Sequence, residues 1–216
     1  QLREHYPAVL IYDGINSEEK HPPRESLISK RQKMSLLYLG HFIPGKGQDY
    51  ALEAFQRAYT ECKELRLRFV GGDMNLEKNH KFRESLRRKA LEWGIADVVE
   101  FDGFAHDVEK EIKEADIVLN FSESESFSFT CLEALYYGMP LIASDSGGPA
   151  EQFKHKESGY LVPNRDVDAM AEAVLYLARN PQTRKEYSIQ SRDFVRRKFS
   201  YDETTGKLNE LYTELL

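Results

Sequence analysis

Cysteine is scarce: the two present in 216 residues, Cys62 and Cys131, are too few for a disulfide framework and show no metal-ligand spacing. They read as free thiols of a reducing compartment. Long apolar runs are missing as well, and nothing approaches the roughly 20 residues that a membrane-spanning helix needs. The start of the chain shows no secretion-signal pattern. An excess of positive charge is also lacking, since 30 Lys and Arg against 36 Asp and Glu leave a net −6. Such a chain has no broad attraction for nucleic acid or an anionic membrane, and neither is expected as a partner. Two short basic clusters, Arg87-Arg88-Lys89 and Arg196-Arg197-Lys198, fall in stretches of helical period and read as solvated faces. No internal repeat, low-complexity tract or internal linker is visible.

What remains is an ordinary globular composition, 41% hydrophobic and 31% charged, in a chain long enough to bury a sizeable core. Short apolar runs alternate with segments of helical period. Strands are expected at Ser35–Gly40, Leu65–Gly71, Val98–Phe101, Asp116–Phe121, Leu141–Ser144 and Gly159–Val162. Helices are expected at Gln48–Cys62, about Asn79–Trp93, Val108–Glu114, Phe129–Tyr137, Val167–Arg179, Pro181–Lys198 and Tyr201–Leu216. Strands alternating with helices imply parallel pairing through right-handed crossovers. The fold class is therefore α/β, a Rossmann-like doubly wound parallel sheet with helices on both faces. The first 24 residues, with His21-Pro22-Pro23, read as a lead-in, and residues 25–216 as the domain proper.

In such sheets ligands bind outside the carboxyl ends of the strands, so chemistry is sought in the loops that follow them. The first, Gly40-His41-Phe42-Ile43-Pro44-Gly45-Lys46-Gly47, combines glycines that admit close backbone approach with a lysine suited to phosphate. A plain turn carrying a surface lysine accounts for it equally well. The second, Ser122 to Thr130, leads straight into a helix, whose first-turn amides form a cradle for an anion. Glu125 precedes that helix and Glu133 lies about one turn inside it. Carboxylates there can accept hydrogen bonds from ligand hydroxyls, or serve only as partners of the helix dipole. The third, Asp145-Ser146-Gly147-Gly148-Pro149-Ala150-Glu151, is a glycine turn with proline at a helix start.

Taken together, these loops resemble the C-terminal domain of the GT-B glycosyltransferases of family four. That family has a strand followed by G-R-x-x-x-x-K-G, and here Gly40-His41 is separated by four residues from Lys46-Gly47. It has a serine, then E-x-F-G and a helix with a second glutamate. Here Ser122 precedes Glu125-Ser126-Phe127-Ser128, and Glu133-Ala134 follows. Gly138-Met139-Pro140, Leu141-Ile142-Ala143, Gly147-Gly148-Pro149-Ala150-Glu151 and Gly159-Tyr160-Leu161-Val162 match its later G-x-P, strand, G-G-x-x-E and G-x-L-V elements. Asp13-Gly14-Ile15-Asn16 looks like the turn by which that family's chain leaves its first domain.

The resemblance implies one half of a GT-B fold, binding a nucleotide-diphosphate sugar (a UDP- or GDP-sugar) for retaining transfer to a glycan, lipid or other hydroxyl acceptor. It implies no metal and no cofactor besides that donor substrate. By position, Lys46 would neutralise the diphosphate and His41 stand where an arginine assists it. Glu133 would hold the ribose hydroxyls and Glu125 those of the sugar. Gly40 would allow close approach, and backbone amides at Phe127 and Ser128 would meet the sugar. Those of Phe129 and Thr130 would meet the phosphates, and Phe104 would lie near the base. Lys46 and Glu125 are the candidate catalytic residues. The acceptor would sit in an N-terminal domain that these residues do not supply. The isolated piece is expected to be inactive and cytoplasmic, any membrane contact being peripheral, at the inner face, through that other domain.

Two departures stand out. His41 replaces an arginine that is always charged and can bind phosphate bidentately. Ser128 replaces a glycine, adding a side chain where the sugar is expected to pass. Both favour the alternative of a non-catalytic nucleotide-binding module, and a sugar-nucleotide epimerase or another GT-B enzyme is a further alternative.

Overall fold

The computed structural model describes residues 9–16 and 33–215. Six strands form one parallel sheet: β1 Met34–Leu39, β2 Leu65–Val70, β3 Val99–Asp102, β4 Ile117–Asn120, β5 Leu141–Ser144 and β6 Tyr160–Val162. Among the described residues, eight α-helices accompany them. These are α1 Gln48–Glu61, α2 Glu77–Glu92, α3 Val108–Glu114, α4 Phe129–Tyr136, α5 Pro149–Gln152, α6 Val167–Arg179, α7 Pro181–Lys198 and α8 Tyr201–Leu215. The strand order is β3-β2-β1-β4-β5-β6, a doubly wound sheet, as the alternation of elements implied.

Successive side chains along β1 point to opposite faces, both of which are covered, which is why an almost wholly apolar strand is tolerated. Leu36 and Tyr38 join a core with Leu52, Phe55, Leu67, Phe69, Met170 and Val174, where α1 and α6 cover the sheet. Leu37 joins the opposite core with Val118, Leu132, Leu135, Leu141 and Val195, under α4 and α7. Local chemistry sets the helix starts: Asp107, Ser128 and Asp166 each accept a hydrogen bond from the backbone N–H three residues on, at 2.9, 3.2 and 3.0 Å. Gly94, at φ 66°, closes α2, and Ile95 N–H donates back to Ala90 O at 2.9 Å.

A short 3-10 turn at Ala96–Val98 replaces the start of the expected third strand, which begins one residue later. The tight exit from α2 leaves too little chain to extend sooner. Residues 9–16 dock where α7 meets α8: Ile15 N–H donates to Phe199 O at 2.8 Å, and Ile15 O accepts from Tyr201 N–H at 3.1 Å. The expected domain boundary at residues 24–25 and the His21-Pro22-Pro23 stretch lie outside the described residues. Among the described residues, no helix is long and apolar enough to cross a membrane.

Candidate functional site

The direction of chain crossover reverses between β1 and β4, the central neighbours of the sheet. The crevice outside their carboxyl ends is where a doubly wound sheet takes its ligand. The two loops that open from these strands are the lysine loop, residues 40–47, and the serine-rich loop, residues 121–128.

Tyr38, near the end of β1, ties the two loops together. Its hydroxyl donates to the Lys46 carbonyl and accepts from Phe121 N–H, the latter at 2.9 Å. The side chain is 3% exposed, and burial lifts the phenol far above its ordinary pKa. Gly47 completes the junction. It sits at φ 82° at the start of α1, and a Cβ there would overlap the Phe121 carbonyl. Glycine is therefore required both by dihedral and by contact.

Across this junction the Lys46 ammonium donates to Glu125 Oε1 at 2.8 Å, and Ser122 Oγ donates to the same oxygen at 3.2 Å. Glu125 is held from behind by the third loop. Its N–H donates to Ser146 O at 3.1 Å, and its carbonyl accepts from Gly148 N–H at 2.6 Å. A Cβ on Gly147 would come within 2.7 Å of Glu125 O, and one on Gly148 would overlap Ser126 O. The glycine pair thus exists to let β5's loop clasp the segment carrying Glu125. That segment is tethered on its other flank too, since Glu123 accepts from Tyr50 Oη at 2.9 Å and from Arg165 Nη2 at 2.5 Å.

Two adjoining cavities open above this frame. One, of about 200 Å3, is lined by Gly40, His41, Lys46, Gln48, Glu125 and Thr130, among others. Its neighbour, of about 160 Å3, is lined by Gly40, His41, Gly71, Phe104, Thr130 and Glu133, among others. Gly40, His41 and Thr130 are common walls, so the two form one elongated cleft with Lys46 and Glu125 at one end and Phe104 and Glu133 at the other. The His41 ring stacks near Phe104, with centroids 6.1 Å apart and planes 17° from parallel, and its Nδ1 lies 3.2 Å from Gly72 O. Burial raises the pKa of Glu133, and no donor or cation among the described residues offsets that. A half-buried carboxylate with no partner among the described residues can accept hydrogen bonds from ligand hydroxyls.

Three of the expected residues line neither cavity. Phe127 packs its ring against Phe199, Phe129 and Tyr12, with centroids 5.7, 5.7 and 6.1 Å away. Phe129 opens α4 with its ring largely exposed. Ser128 corrects the expectation attached to it. Its side chain points into neither cavity but turns inward, 4% exposed, accepting from Cys131 N–H and from Asn120 Nδ2 at 3.0 Å. The reason is its place before α4, where a capping hydroxyl satisfies an otherwise unpaired amide. Residues overlooked in the sequence are Tyr38, Gln48 and Asn120, while Ser122 was noted only as the serine ahead of Glu125. A tyrosine and an asparagine near the ends of apolar strands were the available signal, since polar atoms in buried strands need partners.

The model for Glycosyl transferases group 1 matches residues 20–194. The chain belongs to that family. The chain is 32% identical over 219 residues to the D-inositol 3-phosphate glycosyltransferase of Saccharomonospora viridis, covering 95% of this chain and 50% of that one. Its backbone superposes on Anabaena HepE in complex with UDP-glucose at a TM-score of 0.82. Identity there is 19%, with coverage of 94% of this chain and 57% of that chain. The C-terminal domain of the group 1 protein LpcC from Francisella tularensis matches over its whole length and 87% of this chain, with a TM-score of 0.75 and 20% identity. The fold is thus that of a GT-B C-terminal domain. The chain spans about half the length, or less, of the curated relatives it matches.

Proposed function

We propose that this domain binds a nucleotide-diphosphate sugar, UDP- or GDP-linked, and is the donor half of a retaining glycosyltransferase whose acceptor sits on a second Rossmann-like domain. Residues 25–216 make up that donor domain. The observation that carries the reading is the elongated cleft at the switch point, with a cation and a carboxylate at one end and an unpartnered carboxylate at the other. That order suits a donor laid along it. The nucleoside end meets Phe104 and Glu133, the latter accepting from ribose hydroxyls. The diphosphate lies by Gly40, His41, Thr130 and the amide-rich start of α4. The sugar reaches Glu125.

Lys46 and Glu125 neutralise each other in the ligand-free arrangement. A donor exchanges that pair for two others: its diphosphate takes the ammonium, and a sugar hydroxyl donates to the carboxylate. In transfer, the bond between the anomeric carbon and the diphosphate oxygen breaks while one to the acceptor oxygen forms, and the acceptor hydroxyl's proton passes to the departing diphosphate. Negative charge grows on the departing diphosphate, and Lys46 with the helix start offsets it without a metal. Glu125 is given a binding role here, not that of a nucleophile.

Calorimetry of the chain with UDP, GDP, ADP and their sugars tests this. One base is expected to bind, with an additional gain from the sugar that Glu125→Ala removes. If a folded sample binds none of them, the reading fails. The chain by itself is expected to transfer no sugar, and measurable transfer would refute the need for a second domain. Histidine in place of arginine at position 41 is the one remaining feature that favours a non-catalytic module, because Ser128 keeps its side chain out of the cleft.

A further inference from the structure

The Arg196-Arg197-Lys198 cluster, a solvated face by its sequence, has a different setting in the fold. Arg197 and Lys198 at the end of α7, Lys154 from the loop after α5 and Lys207 from α8 converge on one cavity of about 370 Å3. Among the described residues, Glu203 is the single acidic one in its walls, with Tyr12 and Phe194 beside it. That volume lies within the roughly 300–1,000 Å3 typical of small-molecule sites. In a chain of net charge −6, a cavity with four cations to one carboxylate is a local reversal of sign.

The dipole of α7 accounts for cations at its own C-terminus. It does not account for lysines arriving from two other segments. Nor are all four charges cancelled among the described residues. Lys207 pairs with Glu203 at 2.8 Å and Lys154 with Glu157 at 3.4 Å, surface pairs that a stronger anion displaces readily. Arg197 spends Nε on the Asp193 carbonyl at 3.1 Å and has no carboxylate within ion-pair distance among the described residues. Lys198 is fixed in place: its ammonium donates to Glu151 O at 2.8 Å and lies 5.1 to 5.4 Å from the ring centroids of Tyr12, Phe194 and Phe199. One guanidinium fork and one immobilised ammonium therefore face the cavity with no carboxylate within ion-pair distance among the described residues, beside two aromatic rings, of which Tyr12 donates its hydroxyl to the Glu151 carboxylate.

We propose that this cavity is a second anion site, separate from the donor cleft, that takes the phosphate of a phosphorylated organic molecule. Arg197 binds the phosphate through its terminal nitrogens, Lys198 supplies the fixed charge, and Tyr12 and Phe194 lie against the organic body. Tyr12 also stacks 6.1 Å from Phe127, two residues before α4, so a ligand here lies beside the loop that carries Glu125. The chemistry is shared by a soluble phosphomonoester and a phospholipid headgroup. The inference rests on the cavity alone and does not require a nucleotide sugar in the cleft.

The test is amide NMR on the full chain, titrated with glycerol 3-phosphate, alongside flotation with phosphatidylcholine vesicles containing or lacking phosphatidic acid. Glycerol 3-phosphate is expected to shift resonances of residues 154, 197, 198 and 207 saturably. In the Arg197→Glu/Lys207→Glu variant its affinity is expected to fall at least tenfold. Lys46→Ala, in the donor cleft, is expected to leave it unchanged. Arg197→Gln, a milder change at an exposed position, gives the same direction if the double variant does not fold. Saturable shifts with glycerol 3-phosphate and no flotation identify a soluble ligand. Flotation that needs both phosphatidic acid and Arg197 identifies a headgroup. Shifts that do not saturate, that survive both variants, or that map to the start of α4 overturn the proposal. A UDP titration of the same samples reports separately on the donor cleft.

Discussion

Tyr38→Phe removes one oxygen and leaves the ring in place against Phe69 and Phe121, at 5.7 and 6.3 Å between centroids. It therefore isolates the two hydrogen bonds by which β1 braces the lysine loop and the loop after β4. Phe121 is fully buried, so its N–H is left without an acceptor, a loss of about 1–3 kcal/mol. The Lys46 carbonyl loses its main donor and keeps only the long contact from Ser122 Oγ at 3.4 Å, so its share is smaller, about 1 kcal/mol. The sum is about 3 kcal/mol, which for a chain of this size lowers Tm by roughly 6–12 °C. If half of that free energy, about 1.5 kcal/mol, holds the loops in the binding arrangement, affinity for UDP falls roughly tenfold. Urea unfolding followed by circular dichroism gives the first quantity and calorimetry the second. The m-value should not change, since no surface is newly exposed. A stability loss below about 0.5 kcal/mol with unaltered UDP affinity would show that the tyrosine merely fills space, and the account of the switch point would have to be abandoned.

Glu133→Gln should weaken UDP binding by roughly 10- to 100-fold, the worth of hydrogen bonds to a charged acceptor. The same substitution should raise Tm at neutral pH. Burial raises the folded-state pKa of Glu133, so its ionisation opposes folding, and the variant's advantage should vanish as pH falls below the carboxylate range. A Tm difference independent of pH would contradict this. Gly45 and Gly47 both have positive φ, but only a Cβ at Gly47 meets protein atoms. Gly45→Ala should therefore destabilise by about 1–2 kcal/mol and Gly47→Ala by clearly more, as read by urea unfolding. Equal losses would mean that the close approach to Phe121 is unimportant. His41→Arg should preserve or tighten UDP binding and steepen its salt dependence, measured by calorimetry at two ionic strengths, and weaker binding would refute the placement of the diphosphate.

Almost all of the element order could be read from the chain, because alternating apolar runs and helical stripes encode which face of each segment is buried. The glycine and capping signals were equally local: Gly94 and Ser128 stand where α2 ends and α4 begins. Lys46, Glu125 and Glu133 could be singled out for the same reason, since each lies in or just beyond a loop following a strand. What those loops do to one another was not readable. Gly147 and Gly148 announced a turn, yet their service is to admit the backbone of residues 125–127, a contact between segments twenty residues apart. Ser128 looked like an obstruction until the helix cap turned its hydroxyl inward. The basic run ending at Lys198 looked solvated until α8, the loop after α5 and Tyr12 closed around it. Periodicity and turn chemistry are properties of neighbours in sequence, and by themselves they determined a doubly wound sheet with its loops on one edge. Which groups share a cavity depends on distances between segments far apart in the chain, and only packing the two helical layers onto the sheet decides those.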